Sequence, residues 1–328
     1  MEEYMVSVFC TTYNQMKYIV RCLDSLTGQK TNFSYEIIVR DDASTDGTSD
    51  IVREYAKRFP EKIVPFIQPE NLFQRGLAYI SYEQMFRMSR GKYVAICEGD
   101  DFWTDENKLQ KQVDFMESHP EYSLCGHAAY FAAEDGTLLT DRFFSPSETS
   151  RDMTTEDLIS HWTMATCSLF FRKSCRPDII IPFQGKCVNG DYAQMVYLSL
   201  HGKVYYMNEL MSAYRMSSDG SISQKAENDR AYYRAKILSF VEMLDRLDDY
   251  TEGRFSDVIV QRKRVTLFHM YLSLGDKQNL KQYKDVLPSV GFKTKVRYYL
   301  CVCFHPLFRF MDNAYQSAKK RQRKRSSK

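Results

Sequence analysis

Among its 328 residues the chain has no CxxC pair, and none of its nine cysteines (10, 22, 97, 125, 167, 175, 187, 301 and 303) shows zinc-ligand spacing. A zinc-ribbon or thioredoxin-type motif is thereby excluded, and an odd, scattered set reads as reduced thiols of a cytoplasmic protein rather than a disulfide framework. The start, Met1-Glu2-Glu3-Tyr4, has no basic region ahead of an apolar one, so no secretion signal is expected. No apolar run approaches the ~20 residues of a bilayer span; near the C-terminus the longest is Tyr298–Phe304. Six histidines accompany no serine or cysteine nucleophile motif, so His127, His161 and His201 read as packing or surface residues. A spread-out positive charge is also missing. Seven of the cations behind the net +3 are Lys319, Lys320, Arg321, Arg323, Lys324, Arg325 and Lys328, and without them residues 1–318 carry −4. That acidic remainder argues against nucleic acid as a partner.

What is present is a 44% hydrophobic content, enough to bury a core in one large domain with an appendage. Val6–Cys10 is followed by Ile19, Cys22, Leu23 and Leu26 at helical spacing, and Glu36–Val39 by Ile51, Val52, Tyr55, Ala56 and Phe59. A third strand over Ile63–Ile67, a helix near Gly76–Ser89 and a fourth strand over Tyr93–Cys97 continue the alternation. Repeated crossover units predict an α/β fold, a mainly parallel sheet flanked by helices. Lys108–Ser118 reads as a helix, Tyr122–Ala133, Ser168–Arg172 and Gly202–Asn208 as strands, and the chain beyond Lys225 as helical. The expected division is a catalytic domain over 1–224 and a helical extension over 225–328.

Ligands of such sheets lie at the carboxyl ends of the strands. Three polar sets stand there: Thr11-Thr12-Tyr13-Asn14, Asp41–Gly47, and Glu98-Gly99-Asp100-Asp101. Three acids in four residues repel one another, and a divalent cation with hard-oxygen preference, Mg²⁺ or Mn²⁺, would relieve that repulsion and bridge a diphosphate. A solvated acidic turn is the plainer alternative. Ser44, Thr45 or Asp46 reads as a cap for a helix beginning near Thr48. Asp42, at the strand end itself, is placed to accept a hydrogen bond from a nucleobase N–H.

These three segments, Val6–Asn14, Asp41–Thr48 and Gly91–Trp103, resemble in order and spacing the family-2 glycosyltransferases of the GT-A fold, and the resemblance extends over about residues 4 to 220. It implies that Thr11 and Tyr13 line a base pocket, that Asp42 binds the base edge, that Asp100 contacts ribose or metal, and that Asp101 is the principal metal ligand. Arg75, whose alternative is an ordinary surface arginine, and Arg215 are then candidates for the donor phosphates. Asp191, in Val188-Asn189-Gly190-Asp191-Tyr192, falls where the family carries its catalytic base; its alternative is a cap for a helix over Ala193–His201. The family often has a histidine after its late Tyr-Arg pair, whereas here Tyr214-Arg215 leads into Met216-Ser217-Ser218-Asp219-Gly220-Ser221. Trp103 is expected behind the acidic loop and Trp162 near an acceptor.

The implied activity is metal-dependent, inverting transfer of a sugar from a nucleotide-diphosphate donor, UDP being favoured by the family, to a glycan or lipid-linked glycan acceptor. A nucleotidyltransferase would need a glycine-rich phosphate loop after the first strand, which Thr11-Thr12-Tyr13-Asn14 is not. A non-catalytic nucleotide-sugar-binding scaffold is the other alternative. Near the C-terminus Val296, Leu300, Cys303, Phe304, Leu307 and Met311 recur at helical spacing, interrupted at Pro306 and followed by the basic tail. This pattern suits either a helix packed on the rest of the chain or one lying on an anionic membrane surface, the latter placing the protein peripherally on the inner face of the cell membrane.

Overall fold

A computed structural model describes residues 4–161, 163–177, 180–216, 222–312 and 314. Trp162, the segment 217–221 and the basic tail fall outside them, and so does the expectation placed on Trp162.

In chain order the strands are β1 (Tyr4–Thr12), β2 (Tyr35–Asp41), β3 (Ile63–Ile67), β4 (Gly91–Ile96), β5 (Phe102–Trp103), β6 (Tyr122–Ala132), β7 (Leu138–Phe144), β8 (Arg151–Met153), β9 (Phe170–Arg172) and β10 (Lys203–Arg215). Helices α1 (Ile19–Thr27), α2 (Thr48–Arg58), α3 (Ala78–Met88), α4 (Lys108–Ser118), α5 (Thr155–Ser160) and α6 (Gly190–Ser199) lie between them. One sheet runs β3-β2-β1-β4-β9-β6-β10-β5, with β7 beside β6 and β8 beside β10. The first four strands are parallel, as the crossover pattern requires, while β9, β5, β7 and β8 pair antiparallel, so the second half is mixed.

The parallel half is buried on both faces, which is why its strands read as continuous apolar runs. Val6, Val8 and Cys10 pack with Ile37, Val39, Tyr93 and Ala95 toward Ile19, Leu23 and Leu26 of α1. On the opposite face Phe9 meets the edge of the Phe86 ring of α3 at 5.4 Å. Register then sets the site: Thr12 lies beside Asp41 and Phe9 beside Ile96, so three strands end at one edge.

Contacts divide the chain into two compact units, residues 1–227 and 228–328. The second contains α8 (Arg230–Tyr250), α9 (Ser256–Leu274), α10 (Lys277–Leu280) and α11 (Phe292–Cys303), with α7 (Ile222–Asn228) at the junction. Its core is Phe268, Leu272, Leu280, Val286, Leu287, Tyr298, Cys301 and Phe308. Pro306 acts as expected: α11 ends at Cys303, and a separate helical stretch begins at His305. Among the described residues no helix is long and apolar enough to cross a membrane.

Candidate active site

The loops after β1 and β2 are sewn together. Asn14 N–H donates to Ser44 Oγ (2.8 Å) and Thr45 N–H to Asn14 Oδ1 (2.8 Å). Gln15 N–H donates to Thr48 Oγ1 (2.9 Å) and Met16 N–H to Asp46 Oδ2 (3.0 Å). Ser44 and Thr45 therefore serve this seam and not a helix cap. Asp46 does accept the Thr48 N–H (3.0 Å), but the cap residue of α2 is Gly47, left-handed at φ 102°. Asn14 (φ 50°) and Ala43 (φ 61°) are also left-handed, a conformation that costs a Cβ-bearing residue roughly 1–2 kcal/mol and concentrates at ligand sites.

The acidic loop after β4 joins the same seam. Gly99 N–H donates to the Thr11 carbonyl at 2.9 Å. A Cβ on Gly99 would stand 2.5 Å from Gln15 Oε1 and 2.9 Å from Thr12 Cβ, so only glycine permits this approach. The three polar sets of the sequence thus meet along one edge.

Within that loop the two aspartates face differently. Asp101 is buried, its Oδ1 accepting the backbone N–H of Arg215 at 2.8 Å, while Oδ2 is buried with no hydrogen-bond partner. Burial, then the charge of Asp100, push its carboxyl well above the usual range, against the pull of the Arg215 amide. Asp101 thus faces inward with one oxygen unpartnered, and Asp100 beside it is half-buried. Arg215 is likewise committed inward. Its Nε donates to the Asp100 carbonyl (2.7 Å), its Nη1 to the Ala133 carbonyl (3.1 Å), and its guanidinium lies 4.6 Å over the Tyr18 ring. It braces the acidic loop against the β6–β7 turn.

Asp42 is buried and accepts from Arg40 Nη2 (2.6 Å) and Leu72 N–H (2.9 Å) at Oδ1, and from Phe73 N–H (3.0 Å) at Oδ2. A carboxylate has about four acceptor positions, so three of them are used here. Thr11 is half-buried opposite Arg40 in the sheet register, and Tyr13 is exposed with its hydroxyl accepting from Gln74 Nε2 (3.3 Å). Arg75 is exposed in the loop before α3 and paired with Glu70, one residue beyond Gln74, which contacts Tyr13.

Asp191 lies in the first turn of α6, which begins at Gly190, three residues before the start expected at Ala193. The N-cap residue is Asn189, so Asp191 does not cap the helix. Its Oδ2 accepts from Thr166 Oγ1 (2.9 Å) and its Oδ1 from the Tyr192 N–H (2.9 Å). Its charge is felt at the acidic loop: burial, then Asp100, Asp101 and Asp191, raise the Glu98 carboxyl well above the usual range. Thr166, the orienting partner of Asp191, carried no signal in the sequence. Glu98 did, as the first acid of an acid-Gly-acid triplet at a strand end, but was given no separate role. Trp103 packs behind the loop as expected, Nε1 donating to the Cys167 carbonyl at 3.0 Å.

Among the described residues no three His, Cys, Asp or Glu side chains form a metal cage. Mg²⁺ and Mn²⁺ in nucleotide sites are commonly held by one or two carboxylates, with phosphate oxygens and water completing the shell. A half-buried Asp100 beside a repelled Glu98 fits that open arrangement.

The parallel half-sheet, the seam of strand-end loops and the acid triplet opposite a helix-borne aspartate define an enzyme of GT-A architecture. The family described as "Glycosyl transferase family 2" matches residues 7–177, and the chain belongs to it. A putative teichuronic acid biosynthesis glycosyltransferase of Bacillus subtilis, TuaG, is 30% identical over 67% of this chain and 82% of its own. Residues 1–349 of S. aureus TarS, solved with UDP-GlcNAc, share the fold at a TM-score of 0.54 and 17% identity, over 98% of this chain and 92% of that one. This chain spans 54% of the longer TarS structure. A mannosyltransferase of Pyrobaculum calidifontis, solved with GDP-Man and Mn²⁺, aligns at a TM-score of 0.55 and 14% identity, over 96% of this chain and 86% of that one.

Proposed function

We propose that the chain transfers a sugar, with inversion, from a nucleotide-diphosphate donor to a hydroxyl of a glycan or lipid-linked glycan. What supports this reading is that the loops carrying Asp42 and Asp100 end at one sheet edge and that the charge of Asp191 on α6 acts on Glu98 in the second of them. Thr11 and Tyr13 would flank the base and Asp42 would accept from its N–H. Asp100, with Glu98, would hold Mn²⁺ or Mg²⁺ against the donor diphosphate; that ion supplies positive charge to the departing phosphate oxygens.

Asp191 acts from the other side. With Thr166 and the Tyr192 amide fixing its two oxygens, its carboxylate takes the proton of the acceptor hydroxyl as that oxygen bonds to the anomeric carbon. The bond from that carbon to the β-phosphate oxygen breaks in the same displacement, and the nucleoside diphosphate leaves. Asp101 and Arg215 touch no reactant in this scheme; they hold the Asp100 backbone in place. UDP is the favoured donor nucleotide by family resemblance and by the likeness to TarS, which was solved with UDP-GlcNAc. The helical unit would rest on an anionic membrane surface.

A thermal-stability screen of UDP- and GDP-sugars, with and without Mn²⁺, tests the reading, since ligand bound only to the folded state raises its stability. Metal-dependent stabilisation by one donor class, accompanied by release of nucleoside diphosphate, is expected. Stabilisation without any release on addition of acceptor would reduce the protein to a binding scaffold.

A further inference from the structure

Helix α11 (Phe292–Cys303) turns its apolar side chains two ways. Tyr298 and Cys301 are buried in the core of the helical unit, Tyr298 stacking on the Phe268 ring at 5.9 Å. Phe292, Val296, Tyr299 and Cys303 are exposed, Phe292 at 79% and Tyr299 at 50%. Their spacings of four, three and four residues place all four in a stripe about 60° wide at ~100° per residue, on the side of the helix away from Tyr298 and Cys301. Leu300, part of the apolar recurrence in the sequence, instead packs half-buried against the core.

Charge is arranged about this stripe. By the same spacing Lys293 and Lys295 fall on its two flanks, roughly 70–90° from its centre, while Arg297 pairs with the buried Asp312 at 2.9 Å. α11 has no acidic residue. An apolar stripe with lysines along both flanks suits a surface that offers hydrocarbon depth and negative charge together: the lysine stems lie along the apolar layer and their ammonium groups reach the phosphates. A second copy of α11 laid on the stripe would set lysine against lysine with no acid on either helix to pair them. A nucleic acid would leave the apolar stripe uncovered. Later in sequence, seven further cations at 319–328 add attraction to the same kind of surface.

We propose that α11 lies flat on an anionic membrane, with Phe292, Val296, Tyr299 and Cys303 among the upper acyl chains and Lys293 and Lys295 at the headgroup phosphates. This rests on the membrane-associated reading above and assigns it to one helix face instead of to the basic tail alone.

Cys303 supplies the probe for the test. It is the exposed cysteine, Cys175 is half-buried, and the other seven are buried. In a Cys175→Ser background of the full chain, an environment-sensitive maleimide fluorophore on Cys303 is mixed with phosphatidylcholine vesicles, with and without phosphatidylglycerol, and the same samples are floated. Flotation and a blue shift of the emission should both appear with the anionic vesicles alone, as the label enters the acyl layer. Joint substitution Phe292→Gln, Val296→Gln and Tyr299→Gln should lower partitioning by on the order of 100-fold with the basic tail intact. Lys293→Gln with Lys295→Gln should lower it by roughly fivefold per cation, and Lys293→Arg with Lys295→Arg should float like the parent. The emission shift leaves the three apolar residues unaltered, so it decides the proposal whatever the stability of the triple variant. Flotation of the labelled chain without a blue shift would overturn α11 as the contact face while leaving the membrane reading in place. Failure of the parent to float would overturn both.

Discussion

The amide N–H of Arg215, at the end of β10, donates to Asp101 Oδ1 at 2.8 Å, tying the last strand of the catalytic unit to the loop after β4. The same arginine returns through its Nε to the Asp100 carbonyl, so the acidic loop is held from both ends of one residue. Asp101→Ala removes a buried acceptor and strands the N–H, which should lower stability by about 1–3 kcal/mol and weaken donor binding with it. Asp101→Asn keeps an acceptor oxygen and should melt close to the parent. Chemical denaturation of both variants reads this directly; equal stability of Asp101→Ala and parent would refute the bracing role.

Asp100→Ala should behave in the opposite way. Its carboxylate is half-buried at the cleft and not a packing element, so the melt should hold while Mn²⁺ ceases to strengthen nucleotide binding. Calorimetric titration of UDP with and without Mn²⁺ decides it, and an unaltered metal dependence would remove Asp100 from the metal site.

Asp191→Asn should bind donor normally and turn over more slowly by on the order of 10²-fold or more, the scale of a lost general base. Because the amide oxygen can still accept the Tyr192 N–H while the amide NH2 donates to the Thr166 hydroxyl oxygen, the start of α6 should be undisturbed. Turnover within a few-fold of parent would reduce Asp191 to a local structural residue.

Lys108 gives a pH signature unrelated to catalysis. It is fully buried, 4.1 Å over the Trp103 ring with Nζ donating to Gln112 Oε1 at 2.6 Å, and burial lowers its pKa to about 8. The unfolded chain holds that proton up to about pH 10.4. Burying the charge therefore costs stability fully below about pH 8, and the cost fades as pH rises toward 10.4. Lys108→Met should be more stable than parent at pH 7 by up to roughly 3 kcal/mol, with the gap closing by pH 10. A gap independent of pH would show that Lys108 is not strained by its burial.

Much of the parallel half of the sheet was legible because both its faces are buried: β3 and α4 fall on the residues expected, and β1, β2 and β4 within two residues. The second half was harder for physical reasons. β10 runs on through two register shifts near Leu210, where Asn208 and Glu209 break the apolar pattern. β5 is two residues long and exists only through pairing with Ser212 and Ala213. α5 has a readable start in the capping box of Thr154 and Asp157. At the site, motif order placed Asp42, Asp100 and Asp191 near one another, but it carried no information on which aspartate of the Asp100-Asp101 pair faces inward. That depends on Arg215, more than a hundred residues later, and on whether its guanidinium reaches outward or back to the loop.

The most direct test of the central claim is release of nucleoside diphosphate from a nucleotide-sugar donor in the presence of Mn²⁺ and a glycan acceptor, measured for parent, Asp100→Ala and Asp191→Asn. The account predicts release by the parent that chelation abolishes, with Asp100→Ala losing it through weakened donor binding and Asp191→Asn losing it at saturating donor. Release unaffected by chelation and equal in all three proteins would contradict it.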